Sequence, residues 1–238
     1  MRTSSIRSVP WAAVVVLLVF SGCTVRASRT DGAVAADLTA VIPAADVNRV
    51  TVRIQDGLLE VRPGPPGSVS VAVTVSDDDC ERGPGAVALV TRREGGRVRL
   101  DVRPSTKDRC DEHWRIEMPA ALMLAASGDR ADMNVRGIGG GLDLRSGKGT
   151  IEVDAPSGDI GVVVENGDVH VSAASTGYGE VRLAAQVGRV ALRLDGRPAR
   201  HPRPPGPGDW IEIGGPGEYR VSLRATVGNV WLDVGAAR

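Results

Sequence analysis

From Val47 onward the chain alternates apolar and variable residues. VTVRI at 50–54, LLEV at 58–61 and SVSVAVTV at 68–75 bring Val, Leu or Ile back at alternate positions. Successive side chains of a β-strand point to opposite faces, so this period predicts strands with one buried face. Gly-Pro-rich breaks at 63–67 and 83–86 predict turns. After residue 23, helical spacing is confined to a short AALMLAA run at 120–126. The chain reads as all-β. Residues 23–40 are small and polar without a sustained period, and predict a flexible tether leading into a β domain over 41–238.

A repeat sharpens this picture. GDIGVVV at Gly158, GDVHVSA at Gly167, GEVRLAA at Gly179, GRVALRL at Gly188, GEYRVSL at Gly217 and GNVWLDV at Gly228 share one pattern. Each is glycine, a polar residue, then apolar residues alternating with variable ones. GKGTIEV at Gly147 and GRVRLDV at Gly96 follow it loosely. Neighbouring copies start 9 to 12 residues apart, one short strand plus one turn. A unit this small cannot bury its own apolar face, so copies must stack into a continuous core. Val169, Val171, Val190, Leu192, Val230 and Leu232 then point inward, and His170, Arg193 and Asp233 point to water. GRPARHPRPPGPGD at 196–209 interrupts the series and predicts a Pro-rich loop.

SGDI at 157–160 and NGDV at 166–169, preceded by RIEMP at 115–119, resemble the bacterial adhesin-like domain family of unknown function. The resemblance covers residues 45–235 and is densest between 114 and 194. It implies a β-solenoid or β-helix-like stack in a cell-envelope protein, and it transfers no catalytic residue.

Ahead of this domain the pattern changes. Trp11 to Phe20 (WAAVVVLLVF) is an unbroken apolar run behind Arg2 and Arg7, and Ser21, Gly22 and Cys23 follow at once. A positive start, a short apolar stretch and small residues before a cut describe a secretory signal over residues 1–22. The run falls short of the roughly 20 apolar residues that span a bilayer. Its end, LVFSGC, resembles the bacterial lipobox, with Phe20 where Leu is usual. That resemblance implies a lipoprotein. Cys23 would carry palmitate-like acyl chains and hold the exported protein in the outer leaflet of the cell membrane or in the outer membrane. Two or more chains are what stable anchoring needs. Thr24 follows Cys23, where resemblance associates Asp with inner-membrane retention.

Charge and cysteines narrow the partners. The signal contains Arg2 and Arg7 and no acid, which leaves 27 basic against 29 acidic residues, a formal charge of −2. Nothing in that balance recommends nucleic acid as a partner. With Cys23 acylated, Cys80 and Cys110 remain as an even pair in an oxidising compartment. A disulfide between them closes a loop of about 30 residues, worth roughly 3–4 kcal/mol through chain entropy. Free thiols are the alternative.

The candidate chemistry is sparse. Asp159 and Asp168 hold equivalent turn positions and invite a glycosidase reading, but the same position is Glu180, Arg189, Glu218 and Asn229 in other copies. A position that accepts either sign of charge behaves as a turn residue. A glycosidase also needs two carboxylates at fixed separation, usually beside aromatic platforms, and the chain has seven aromatic residues in all. SDDDCE at 76–81 and DRCDEH at 108–113 surround the paired cysteines. Asp77, Asp78, Asp79, Glu81, Asp108, Asp111 and Glu112 would converge if the bridge forms, an oxygen-rich set of Ca²⁺ candidates. Their spacing matches no calcium loop, and a solvated acidic surface is the plainer reading. His113 lacks the partners a zinc site needs. Among His113, His170 and His201 no triad can be built. Trp231 has outward parity and is a candidate surface-binding residue, unless the C-terminal tail covers it to cap an exposed edge. Arg197, Arg200, His201 and Arg203 give the Pro-rich loop a basic character suited to anionic envelope polymers or lipid head groups, and keeping an extended polyproline-like loop soluble is the plainer reading. These features favour a non-catalytic envelope lipoprotein without a cofactor, presenting its surface for binding, adhesion or scaffolding. A sensory lipoprotein that recognises an envelope ligand is the alternative, and a carbohydrate-active enzyme on a β-helix is a third. Its partners would be membrane lipid through Cys23 and an envelope protein or polysaccharide.

Overall fold

The computed structural model describes residues 36–75, 88–103, 111–174, 178–194, 197–198, 209–214 and 217–235. They form one open, 17-stranded, all-β sheet. Its strands are β1 (Ala36–Pro43), β2 (Arg49–Pro63), β3 (Ser68–Val75), β4 (Ala88–Glu94), β5 (Arg97–Arg103) and β6 (Asp111–Met118). Then come β7 (Met123–Arg136), β8 (Leu142–Lys148), β9 (Ile151–Asp154), β10 (Ile160–Asn166), β11 (Val169–Ala174) and β12 (Tyr178–Val187). The last are β13 (Val190–Leu194), β14 (Arg197–Pro198), β15 (Asp209–Gly214), β16 (Tyr219–Val227) and β17 (Val230–Gly235).

β2 and β7 organise the sheet. They pair in parallel from end to end, and Gly57 of β2 lies opposite Ala131 of β7. At that point the inward parity of both strands shifts by one residue, which marks a corner. On one side of it lies a first wing, in the order β4–β5–β2–β7–β8–β10–β16–β12–β15. On the other lies a second wing, β1–β3–β6–β2–β7–β9–β11–β17–β13–β14. From β7 onward the neighbours are parallel until the last strand of each wing. Leu124, Leu142 and Ile160 stand abreast at intervals of 18 residues. One circuit of the chain is therefore a pair of strands, one in each wing, and the spacing of 9 to 12 residues marks half a circuit.

Glycine sets the corner. A Cβ on Gly167 would lie 1.9 Å from the Gly149 carbonyl oxygen, one on Gly228 1.8 Å from that of Gly167, and one on Gly188 1.7 Å from that of Gly228. These four residues form a ladder in which each leaves room for the backbone of the next, and Gly167 holds φ at 146°, where a side chain is strained. Alternation does the rest. Val169, Val171, Leu192, Val230 and Leu232 are buried in one contiguous core, while His170 and Arg193 are exposed and Asp233 is half-buried. The side chain of Val190 lies outside the described residues. Thr, Glu, His and Arg at the intervening positions face water and keep the wings polar outside.

At four places the structure corrects or adds to the sequence reading. The tether does not extend to residue 40: Ala36–Pro43 pair with β3, and Leu38, Ala40 and Ile42 are buried. The AALMLAA run holds a turn and the start of β7, because Leu122, Leu124 and Ala126 pack into the sheet core. The Pro-rich insertion begins and ends in strands: β14 pairs with β13, and β15 pairs antiparallel with β12. Finally, the copies do not stack in chain order. β16 lies between β10 and β12, and β17 between β11 and β13, so the last copy occupies the middle of the series.

Candidate functional site

The repeated turn acids have structural work to do. Asp168 Oδ1 accepts from the Asn229 backbone N–H at 2.7 Å and from Asn229 Nδ2 at 3.1 Å. Asn229 Oδ1 in turn accepts from the Arg189 N–H at 3.1 Å, and Asp132 Oδ1 from the Thr150 N–H at 2.7 Å. Asp159 Oδ1 takes the Arg220 N–H at 2.9 Å, at the opposite end of the strands. Each short side chain satisfies a backbone donor of the adjacent circuit, which strand pairing leaves open at a turn. Asp159 and Asp168 thus lie at different turns and are not a paired site.

The corner where β2, β6 and β7 meet holds the densest chemistry. A cavity of about 740 Å³ is lined by Leu58, Asp111, His113, Arg130, Asp132 and Lys148, among others. Arg130 Nε and Nη2 donate to the two oxygens of buried Asp56 at 2.7 and 2.9 Å, a bidentate pair. His113 Nε2 is 3.0 Å from Glu60 Oε2, which also accepts from Arg115 Nε at 3.0 Å. His113 and then Arg115 hold the Glu60 carboxyl below its usual range.

Glu112 overturns part of the solvated acidic surface expected here. It has the inward parity of Trp114, Ile116 and Met118, is 3% exposed, and accepts from Trp114 Nε1 at 2.8 Å. Burial pushes its carboxyl from an ordinary 4.5 up to about 7, against the opposing hydrogen bonds from Trp114 and the Gln55 backbone. The sign of the linkage follows. Between about 4.5 and 7 the folded protein keeps a proton that the unfolded chain releases. This contribution is complete at the acidic end and is lost as pH rises through 7. The shift corresponds to something on the order of 3 kcal/mol. Glu112→Gln should keep the acceptor for Trp114 and flatten the fall in melting temperature between pH 5 and 8; an undiminished fall would place the titrating group elsewhere.

Trp231 lies in a shallow pocket of about 390 Å³ on the outer face of the second wing, lined by His170, Ala191, Arg193, Trp231 and Asp233. β17 is flanked on both sides, so Trp231 does not stand at an exposed edge for the C-terminal tail to cap. Register places His170 and Ala191 on either side of Trp231, and Arg193 beside Asp233. The His170 ring meets the indole edge-on, with centroids 6.1 Å apart and planes at 72°. Asp233 Oδ2 is 3.3 Å from His170 Nε2, and Asp233 Oδ1 is 3.9 Å from Arg193 Nε. This grouping was readable from the repeat, because His170 and Trp231 both stand three residues after a ladder glycine, and Arg193 and Asp233 five. In the first wing a groove of about 660 Å³ is lined by Arg53, Arg99, Arg145, Asp129 and Glu165, among others. It was missed because its residues come from five strands, β2, β5, β7, β8 and β10, spread along the sequence.

Cys23, Cys80, Cys110, Asp77, Asp78, Asp79, Glu81, Asp108, Arg200, His201 and Arg203 lie outside the described residues. Of the Ca²⁺ candidates, Asp111 and Glu112 are described. Glu112 faces the core, and among the described residues no group of three acids, histidines or cysteines is arranged around a metal position.

No protein-family model and no curated protein matches the sequence. Among solved structures, a candidate cell adhesion protein from Clostridium sporogenes aligns over 83% of this chain and 98% of its own, with a TM-score of 0.58 at 12% identity. A candidate adhesin from Parabacteroides merdae aligns over 85% and 96%, with a TM-score of 0.29 at 10% identity. A candidate lipid-binding protein from Parabacteroides distasonis aligns over 85% and 97%, with a TM-score of 0.26 at 12% identity. The likeness to the Clostridium protein is one of fold: the chain shares its all-β architecture over nearly that protein's whole length.

Proposed function

We propose that this chain is an exported lipoprotein, acylated at Cys23, whose stacked circuits form a β-solenoid-type body that presents a non-catalytic binding surface in the cell envelope. The observation that carries this reading is the outer face of the wings. Side chains from successive circuits stand abreast there in exposed or half-buried rows, and the Trp231 pocket is set into one of them. Three carboxylates at the corner are occupied in tying it together, Asp56 with Arg130, Glu60 with His113, and Asp132 with Thr150. The fold shared with a candidate cell adhesion protein agrees with a binding role, as an analogy of fold.

The short stretch from Cys23 to Ala36 limits the reach. Thirteen residue steps extend at most about 45 Å, so the first strand stays that close to the anchoring lipid. Cys23→Ala should move the protein wholly from the membrane fraction to the soluble one. Retention of the mutant in membranes would end the lipoprotein reading. Capture from detergent-solubilised envelope with the wild-type protein, and its absence with an unrelated lipoprotein, tests the binding role.

The same reading pairs Cys80 with Cys110. Register supports it: Val75 lies opposite Glu112 and Ala88 opposite Arg103, so the segments containing the two cysteines leave and re-enter the sheet at neighbouring positions. Two thiols open to alkylation in purified protein without reductant would refute the bridge.

A further inference from the structure

We propose that the Trp231 pocket binds an uncharged sugar ring of a polysaccharide. This rests on the reading of the outer face as a binding surface and assigns it a ligand class. The argument begins with size. Strands in a sheet lie about 4.8 Å apart, so an indole in the middle of a row is normally flanked by side chains on both sides. Trp231 has the His170 ring edge-on at one flank and only the methyl of Ala191 at the other. The space above Ala191 is the pocket, and it leaves one flank of the indole open. An aromatic surface with an apolar body suits the C–H face of a pyranose, as aromatic platforms do in sugar-binding proteins.

Chemistry of the rim comes next. Arg193 supplies planar donors, Asp233 acceptors, and His170 a ring nitrogen, all within reach of the space beside the indole. Ring hydroxyls both donate and accept, so a rim of both kinds satisfies them. The charges decide between a neutral and an anionic ligand. Asp233 faces Arg193 at 3.9 Å, so the guanidinium is already offset and the pocket offers a polyanion little net attraction.

Position agrees. β17 is seven strand spacings from β1 in the second wing, about 34 Å. β1 is the strand nearest the lipidated end, so the pocket stands well along the wing from the tether.

The test uses the mature chain from Cys23 onward, in detergent. Trp114 is buried, Trp11 leaves with the proposed signal, and Trp210→Phe removes the exposed indole of the described residues, leaving half-buried Trp231 as the surface reporter. Tetrasaccharides of glucose, mannose and N-acetylglucosamine are titrated against its fluorescence, with heparin as the polyanion. The expected result is saturable quenching or a blue shift with at least one neutral tetrasaccharide. In protein with Trp210 restored, calorimetric affinity for that sugar should fall about tenfold or more on Trp231→Ala or Arg193→Ala, with unchanged melting temperatures. Ala191→Leu, which fills the space beside the indole, should abolish binding while retaining Trp231. No response to any neutral tetrasaccharide, a response to heparin alone, or equal affinity in the Trp231→Ala variant would each overturn the proposal. Capture of an envelope partner that survives Trp231→Ala would leave the general binding role standing and remove only this sugar site.

Discussion

Gly167→Ala should unfold the protein or lower its stability by about 3–5 kcal/mol, from strain at a disallowed φ together with overpacking. The added methyl would lie 1.9 Å from the Gly149 carbonyl oxygen, and that contact is with backbone, which no rotamer change relieves. To make room, the two circuits must separate at the corner, where the Gly149 N–H donates to Asn166 O at 3.1 Å and the Ile151 N–H to Asp168 O at 2.9 Å. The displacement would pass along the ladder, because Gly167 O is itself the nearest atom to Gly228. Gly67→Ala is the control. Gly67 has nothing within 4 Å of its would-be Cβ, and its change should stay within about 0.5 kcal/mol. Denaturant titration of both variants measures the difference. Equal effects would mean that the ladder does not set the spacing of the circuits.

Removing residues 216–238 should destroy the folded state rather than shorten it. The truncation takes away β16 and β17, which carry fully buried Val221, Leu223, Val230 and Leu232 and pair on both sides. Four such side chains contribute roughly 6–12 kcal/mol of burial. That equals the net stability of a typical domain, about 5–15 kcal/mol. It would also cut β12 and β13 from the rest of the sheet. Deleting 199–208, by contrast, should leave the melting curve nearly intact, since loop closure changes by only about 0.6 kcal/mol per doubling of length. Limited proteolysis and circular dichroism distinguish the two. A truncated chain that still melts cooperatively would show that β12 and β13 can dock directly on β10 and β11.

What the sequence disclosed depended on parity. Val169 and Val171 could be assigned to the core because one face of each strand must be buried, and a slip of one residue would reverse every side chain. Chain order carried no such signal. The glycine-led copies are alike in length and pattern, so GDVHVSA fits beside GNVWLDV as well as beside GRVALRL, and nothing local chooses. Ala36–Pro43 were hidden for another reason: two alanines and a proline diluted an alternation of Leu38, Ala40 and Ile42. Glu112 was visible as an inward position beside Trp114, yet its acidic neighbours argued for a solvated surface. The Trp231 grouping was implicit in equal offsets from the ladder glycines and became a site once the two copies were known to be adjacent.

The central placement of β16 and β17 fixes the order in which the molecule can assemble. Strands β12 and β13 are synthesised before the pair that joins them to the rest, so on emergence they have no finished sheet to dock against. Until the last 20 or so residues arrive, β10 and β11 present open parallel edges of the kind that invites pairing with other chains. The final step is a closure over distant sequence, which is intrinsically slow. On the proposed export, a protein built this way gains its structure late: it stays threadable until β16 and β17 are across the membrane, and then depends on those two strands to close the gap before another chain does.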